Sequence, residues 1–362
     1  MKIAVDARSM GSRPSGVGMY LYNFLKELVK CEELEFVLIT DVAESEYIKF
    51  FKESGVSVYA YGKHFYNSAS VFAYFRYVKK VLKEIKPDIF WEVNTVIPMK
   101  LKGDFKTMIT IHDMFPIQYP EYFGKVYSVY FKHSLKKTLK NTDMILYNSD
   151  ETKAITEKYY PEAKNIRSCT GYIIVPKPEK KADIASKGFL LYVGNMEKRK
   201  GVDLLLKAYK KYRELGGTKE LVLAGKMLEP DVEKLLEDIT KSTGSITYKS
   251  YVMDDEKAEL YSSCGCYVFP SKAEGFGMPV IEVMWYNKPV IVSALPIFEE
   301  IVGECINRFD IERDELSQTD NLAKAMLDYR EQVDYEKYKE VTERYLPETL
   351  SETVKNFILS DN

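Results

Sequence analysis

The 362-residue chain predicts an α/β protein of two Rossmann-like, doubly wound units facing a cleft. Three observations lead there. Short apolar strands alternate with amphipathic helices along most of the chain, which implies parallel sheets with crossover helices. The alternation breaks once, at a polar stretch bearing prolines. The length also exceeds what one ordinary core uses and suits two.

The first run begins with an apolar strand at 3–5 that ends at Asp6, followed by helix signals over 18–30. Strands follow at 36–40 and 57–61. A long helix is expected over 71–86, with Val71, Phe75, Val78, Leu82 and Ile85 on one face at 3–4 spacing. Pro87 stops it, and strands come at 89–91, 108–111 and 144–147, with a helix between the last two. Residues 173–187 then carry Pro176, Lys177, Pro178, Lys180, Lys181 and Lys187 and read as a linker. The second run has strands at 189–193, 221–224, 246–248, 266–269 and 290–292. Its helices are at 202–215, 230–242, 254–262 and 278–285. The expected domains are therefore 1–172 and 188–344, with 345–362 a final helix that crosses back to the first domain. Open parallel sheets bind ligands at the carboxyl ends of their strands, so the cleft is the expected site.

Composition excludes several classes. With 52 Lys and Arg against 54 Asp and Glu, no overall bias toward nucleic acid exists. Cysteines at 31, 169, 264, 266 and 305 are odd in number and without repeated spacing, which argues against a disulfide framework. Cys264 and Cys266 flank one glycine but lack a second ligand pair, and three histidines make a His-based metal centre unexpected. The N-terminal Met-Lys-Ile-Ala-Val-Asp reads as a strand rather than a signal peptide, and no run of about 18 apolar residues exists. A cytoplasmic location is expected.

The densest chemistry is Pro270-Ser-Lys-Ala-Glu-Gly-Phe-Gly-Met-Pro-Val-Ile-Glu282. Glu274 lies in a loop after a strand and Glu282 inside the next helix. Gly275 and Gly277 permit close backbone approach, and Pro279 suits a first helical turn. Unpaired N–H groups at such a helix start attract an anion. Two solvated glutamates and a turn would also give this spacing. The glycines, the proline and the strand-to-helix position together favour a ligand site.

This segment resembles the E-x7-E signature of family 4 retaining glycosyltransferases, which adopt the GT-B fold. The likeness extends to three loops and one strand end. Leu191-Tyr-Val-Gly-Asn-Met-Glu-Lys-Arg-Lys-Gly-Val-Asp-Leu-Leu-Leu206 is similar to their strand, basic loop and helix. Ser15-Gly-Val-Gly-Met-Tyr20 is similar to their glycine-rich first loop, and Thr110-Ile-His-Asp-Met-Phe-Pro-Ile-Gln-Tyr-Pro-Glu-Tyr122 to their histidine loop. Asn148-Ser149 resembles the end of a late strand.

The resemblance implies transfer of a sugar, with retention, from a nucleotide-diphosphate sugar to a carbohydrate or lipid-linked glycan acceptor. His112, Arg199, Lys200 and Glu274 would be catalytic: Arg199 and Lys200 on the diphosphate, Glu274 on hydroxyls of the transferred sugar, His112 over that sugar. Glu282 would hold the ribose. Gly16, Gly18, Gly194, Asn195, Val252, Phe276, Gly277 and Met278 would complete the donor site. Many relatives carry Arg where this chain has Asn195, so the diphosphate clamp rests on Arg199 and Lys200. No metal or other cofactor is expected, because the basic loop and helix start can balance the phosphate charge. Gly16 and Gly18 cannot complete a dinucleotide fingerprint, since Leu21 stands at its third glycine position. The alternatives are a nucleotide-sugar epimerase on the same fold and a non-catalytic glycan-binding relative; a phosphorylase of this fold would be far longer.

One more pattern bears on partners. Arg76, Lys79, Lys80, Lys83 and Lys86 lie on the helix 71–86, and Lys125, Lys132, Lys136, Lys137 and Lys140 stand in 125–140 with no acid between them. Tyr127, Val129, Tyr130, Phe131 and Leu135 supply apolar area there. Either these apolar residues face a core, or the segment meets a membrane surface.

Overall fold

The computed structural model describes residues 1–11, 16–63, 68–179, 187–311 and 314–360. Ser15 of the first glycine segment and residues 180–186 of the expected linker lie outside them. The chain divides into two compact units. Unit 1 is Met1–Ile174 with Pro347–Asn362, and unit 2 is Val175–Leu346.

Unit 1 holds a seven-stranded sheet: β1 (Lys2–Asp6), β2 (Glu35–Thr40), β3 (Ser57–Ala60), β4 (Ile89–Glu92), β5 (Lys106–Ile111), β6 (Met144–Tyr147) and β7 (Arg167–Thr170). The order is β3-β2-β1-β4-β5-β6-β7, and all pairs are parallel. Inner strands are buried throughout because helices cover both faces: β6 is Met-Ile-Leu-Tyr, and β4 is Ile-Phe-Trp followed by the buried Glu92. The helix Ser68–Ile85 buries Phe75, Val78 and Leu82 of the expected stripe with Tyr74 beside them, and leaves Val71 and Ile85 half-buried. The helix Lys125–Leu139 buries Phe131, Leu135 and Leu139.

Unit 2 holds six parallel strands: β8 (Leu190–Val193), β9 (Leu221–Ala224), β10 (Ile246–Lys249), β11 (Cys266–Phe269), β12 (Val290–Ser293) and β13 (Asn307–Phe309). Their order is β10-β9-β8-β11-β12-β13. Both sheets are thus doubly wound. Strand order reverses between β1 and β4 in unit 1 and between β8 and β11 in unit 2. Those are the topological switch points, where adjacent crossovers leave on opposite faces and open a crevice at the carboxyl ends.

Several elements differ from the sequence reading. The helix expected from residue 18 begins at Gly16, so Gly16 and Gly18 of the segment that resembles a glycine-rich loop stand in the first turn of Gly16–Leu28, and Gly18 is buried. The stripe Tyr20, Leu21, Phe24, Leu25 and Leu28 packs on the sheet, and that tertiary burial extends the helix back over two poor helix formers. β7 went unread because Arg-Ser-Cys-Thr is polar and only half-buried, as an edge strand can be. Helices Glu46–Glu53, Asp150–Tyr159, Pro296–Val302, Glu315–Asp328 and Tyr335–Glu343, together with β13, also lay outside that reading. The start of the expected linker is not solvated: Ile173, Ile174 and Val175 are buried, and the Val175 N–H donates to Tyr345 O at 2.9 Å.

The terminal helix Pro347–Leu359 packs on Gly16–Leu28 within unit 1 and buries Leu350, Val354, Phe357 and Ile358. The Arg167 guanidinium lies 4.5 Å from the Phe357 ring centroid and donates to Ser360 Oγ at 2.6 Å. Val354 is fully buried against Gly171. Val354→Asp buries an unpaired carboxylate there and is expected to cost about 3 kcal/mol or more. Thermal denaturation checks this: the Tm falls by several degrees, and an unchanged Tm would show that the helix contributes nothing.

Candidate active site

At the switch point of unit 2, the loop after β8 and the loop after β11 cross. Residues Lys198–Lys200 form one 3₁₀ turn, and Gly201 follows at φ 70° before the helix Val202–Glu214 begins. A Cβ on Gly201 would lie 1.9 Å from the Pro270 carbonyl oxygen, so only glycine permits this crossing. Further bonds hold the loops together. The Lys272 N–H donates to Arg199 O at 2.9 Å. The Lys272 ammonium bonds both oxygens of Asp203, at 3.0 and 2.8 Å.

This crossing brings together three of the expected catalytic residues. The Lys200 ammonium donates to Glu274 Oε1, and Ser271 Oγ donates to the same oxygen at 2.9 Å. The Glu274 side chain is 6% exposed and that of Lys200 19%. The Lys200 ammonium also lies 5.5 Å from the Phe269 ring centroid. Arg199 donates through Nη1 to Ala273 O at 3.0 Å and through Nη2 to Glu197 Oε1 at 2.7 Å. Both cations are therefore held half-buried by short local bonds, aimed by the same loop that carries the carboxylate.

Glu282 sits on the helix Met278–Met284, one turn beyond Gly277, which caps it at φ 98°. The Tyr261 hydroxyl donates to Glu282 Oε2 at 2.9 Å, and the Lys257 ammonium lies 3.5 Å from that oxygen. Burial pulls the Lys257 ammonium down, but Glu282 and Asp254 outweigh it and raise it. Burial, with Glu282 beside it, holds the Tyr261 phenol well above its ordinary value. Phe276 is buried edge-on to Tyr345, with centroids 5.4 Å apart. Met278 and Val252 are half-buried and Asn195 is exposed. The Gly194 N–H donates to Ala224 O at 2.9 Å, while the Tyr192 hydroxyl takes Asn195 O at 2.8 Å and the Tyr267 hydroxyl takes Val193 O at 3.0 Å. Tyrosine hydroxyls thus turn the carbonyls of the β8 exit loop inward.

Unit 1 has its own cluster at the β1/β4 switch point. Arg8 lies between the carboxylates of Asp6, at 3.0 Å, and Glu92, at 3.1 Å. Both carboxylates are fully buried, and Tyr74 donates to Asp6 Oδ1 at 2.8 Å. Burial, together with the neighbouring Asp6, raises the Glu92 carboxyl far above its usual range in spite of Arg8. The same Glu92 accepts from Asn94 N–H at 2.8 Å and Nδ2 at 3.2 Å, which fixes the turn after β4. In that turn Thr95 adopts φ 61°, a strained value for a β-branched residue, held by its hydroxyl on Thr110 O at 2.9 Å.

His112 follows β5 and reaches this turn. Its Nε2 donates to Val93 O at 2.9 Å; a carbonyl can only accept, so the proton is on Nε2 and Nδ1 is the acceptor. The ring meets Tyr20 edge-on at 4.9 Å. Burial pushes the His112 imidazole down to about 4. Ser149 caps the helix Asp150–Tyr159 by accepting from Thr152 N–H at 3.0 Å, a structural use for one of the Asn148-Ser149 pair.

Sequence reasoning missed the supports: Glu197, Asp203, Lys257, Tyr261, Ser271 and Lys272 on one side, Asp6, Arg8 and Glu92 on the other. Asp6 and Arg8 were visible at the end of the first strand, where a charged turn meets the carboxyl edge of the sheet. Nothing in the spacing pairs Asp203 with Lys272.

Fold and site together define a protein of two doubly wound α/β units with charged loops at the switch points of its sheets, and comparison with known proteins gives its family. The family described as Glycosyl transferases group 1 matches residues 176–342, and Glycosyltransferase Family 4 matches residues 14–168. The chain belongs to the family 4 glycosyltransferases of the GT-B fold. It is 31% identical to the O-antigen chain mannosyltransferase B of Escherichia coli over 62% of this chain and 61% of that protein. The chain thus spans about three-fifths of that relative's length. It is 24% identical to the O-antigen chain mannosyltransferase RfbU of Salmonella typhimurium over 82% of this chain and 84% of that one. The fold is similar to Anabaena HepE, solved in complex with UDP and glucose, with a TM-score of 0.74 at 15% identity over 99% of this chain and 100% of that one.

Linkage at His112 gives a stability test. An imidazole depressed in the folded state binds fewer protons than the unfolded chain between about pH 6.5 and 4, so stability falls as pH drops through that window. His112→Gln is expected to flatten that fall in denaturation curves taken at successive pH values. An unchanged slope would mean that His112 titrates normally.

Proposed function

We propose that the protein is a retaining hexosyltransferase that moves a sugar from a nucleotide-diphosphate sugar to a carbohydrate or lipid-linked glycan acceptor, in synthesis of a surface polysaccharide. The observation that carries this reading is the Lys200–Glu274 pair at the switch point of unit 2, with Arg199 beside it. A cation next to a buried carboxylate, at the carboxyl end of a doubly wound sheet, suits a ligand with both an anionic and a hydroxylated part. Similarity to the O-antigen chain mannosyltransferases of Escherichia coli and Salmonella supports the polysaccharide context, and the HepE complex supports a nucleotide and a hexose as ligand classes.

In this reading Lys200 leaves Glu274 for a phosphate oxygen when donor arrives, and Glu274 then accepts from a sugar hydroxyl. Each ion exchanges one partner for another, so neither is left buried and unpaired. As the anomeric C–O bond breaks, negative charge grows on the diphosphate. Lys200 and Arg199 are already fixed where it develops, so they act chiefly on the transition state. Glu282 holds its Oε2 on Tyr261 and Lys257 and offers Oε1 to the ribose. Backbone at Phe276, Gly277 and Met278, with Gly194, Asn195 and Val252, is assigned to the donor. His112 is assigned to the donor sugar through Nδ1. Charge balance is assigned to the basic loop rather than to a metal ion.

Kinetics with GDP- and UDP-linked hexoses, mannose first, test this. Lys200→Ala and Glu274→Ala are each expected to lower kcat on the order of 10²–10³-fold, while Glu282→Ala raises the donor KM. Chelator leaves the rate unchanged, and NMR of the product shows the donor's anomeric configuration. Near wild-type rates in both variants, an inverted product, or loss of activity to chelator would contradict the corresponding assignment. A changed donor sugar in the absence of any acceptor would favour an epimerase.

A further inference from the structure

The helix Lys125–Leu139 in unit 1 turns an unusual face outward. Its inward side is Ser128, Phe131, Leu135, Thr138 and Leu139. Of the two alternatives the sequence left open, Phe131 and Leu135 therefore take the first, as core residues. The outward side runs Val126, Val129, Tyr130, His133, Lys136, Lys137, at helical spacing of three and four. Val126 is 87% exposed, Val129 57% and Tyr130 50%, and Tyr127 is exposed beside them. Among the described residues, packing within unit 1 gives no reason for this, and β-branched valines do not favour a solvated helix.

Beside this helix lies an open groove of about 520 Å³. Phe72, Ile97, Met99, Leu101, Val129 and Tyr130 line it, with Lys100 and Lys137 among them. Phe72 comes from the helix Ser68–Ile85 and begins an outward stripe with Arg76, Lys80 and Lys83, all exposed. The cations that line the groove itself are Lys137 of the helix Lys125–Leu139 and Lys100 of the segment after β4. From 125 to 140 the sequence has five lysines and no acid.

We propose that this face of unit 1 docks on an anionic lipid bilayer, with the exposed valines and tyrosines at the headgroup–acyl boundary, an acyl segment in the groove and the lysines on anionic headgroups. Tyrosine, with an apolar ring and polar tip, and lysine, with an apolar stem, suit the graded polarity of a bilayer surface. The cores of protein–protein interfaces are instead depleted in lysine. The proposal stands apart from the transfer reading, because vesicle binding requires no turnover.

Sedimentation of the full chain with vesicles tests it. Vesicles of equimolar phosphatidylglycerol and phosphatidylcholine are expected to bind at low salt, pure phosphatidylcholine at least about tenfold more weakly, and raised salt to release the protein. Val129→Asp with Tyr130→Asp, and separately Lys136→Glu with Lys137→Glu, each lower the partition coefficient about tenfold or more. All four positions are at the surface, and an unchanged Tm verifies that the variants fold. No binding to the anionic vesicles overturns the proposal. So does loss with the lysine pair alone, which would be bare electrostatic adsorption. So does a self-associated species in sedimentation velocity that the Val129→Asp, Tyr130→Asp variant disperses while vesicle binding persists, since a second copy would then cover this face.

Discussion

A side chain at residue 201 would place its Cβ 1.9 Å from the Pro270 carbonyl oxygen, and the two loops of unit 2 cross because glycine has none. The crossing occurs where the sheet order reverses between β8 and β11, so the crevice is opened by topology and then bridged by backbone. Arg199 and Lys200 are carried on one loop and Glu274 on the other. Their mutual bonds, the Lys272 link to Asp203 and the Lys272 N–H on Arg199 O all depend on that approach. In the proposed transfer, the cost of that arrangement is met on folding, and only the partner exchange of Lys200 would remain when a diphosphate binds.

Unit 1 uses the same topological position differently. Between β1 and β4 the polar groups are fully buried and directed at one another: Asp6 and Glu92 on Arg8, with Tyr74 completing the set. A raised Glu92 carboxyl and a depressed His112 imidazole both follow from burial, and both favour the neutral form. Glu92 fixes Asn94, and the next carbonyl back, Val93 O, fixes His112. The cluster is thus a support for the turn that orients the imidazole, with strain at Thr95 held by the Thr110 carbonyl.

Sequence alone revealed what rests on periodicity and on dense local motifs. The stripes of the helices Ser68–Ile85 and Val202–Glu214, the buried strands and the 270–282 segment were all legible, because neighbours in sequence share one environment. The start of the first helix was read two residues late: glycine's local preference favours a loop at Gly16, and tertiary burial of the following stripe overrode it. β7 hid behind polar edge residues, and β13 is only three residues long. The supports of the site were illegible for a different reason. Asp203 and Lys272, or Tyr261 and Glu282, meet through the sheet order, which no local pattern encodes.

The central claim is that the crossed loops form a site for the diphosphate. Calorimetric titration with a nucleoside diphosphate and with the corresponding nucleoside, on wild type and Lys200→Ala, tests it most directly. The account predicts that wild type binds the diphosphate far more tightly than the nucleoside and that Lys200→Ala loses most of that difference. Equal affinity for both ligands in wild type, or full discrimination kept without Lys200, would contradict it.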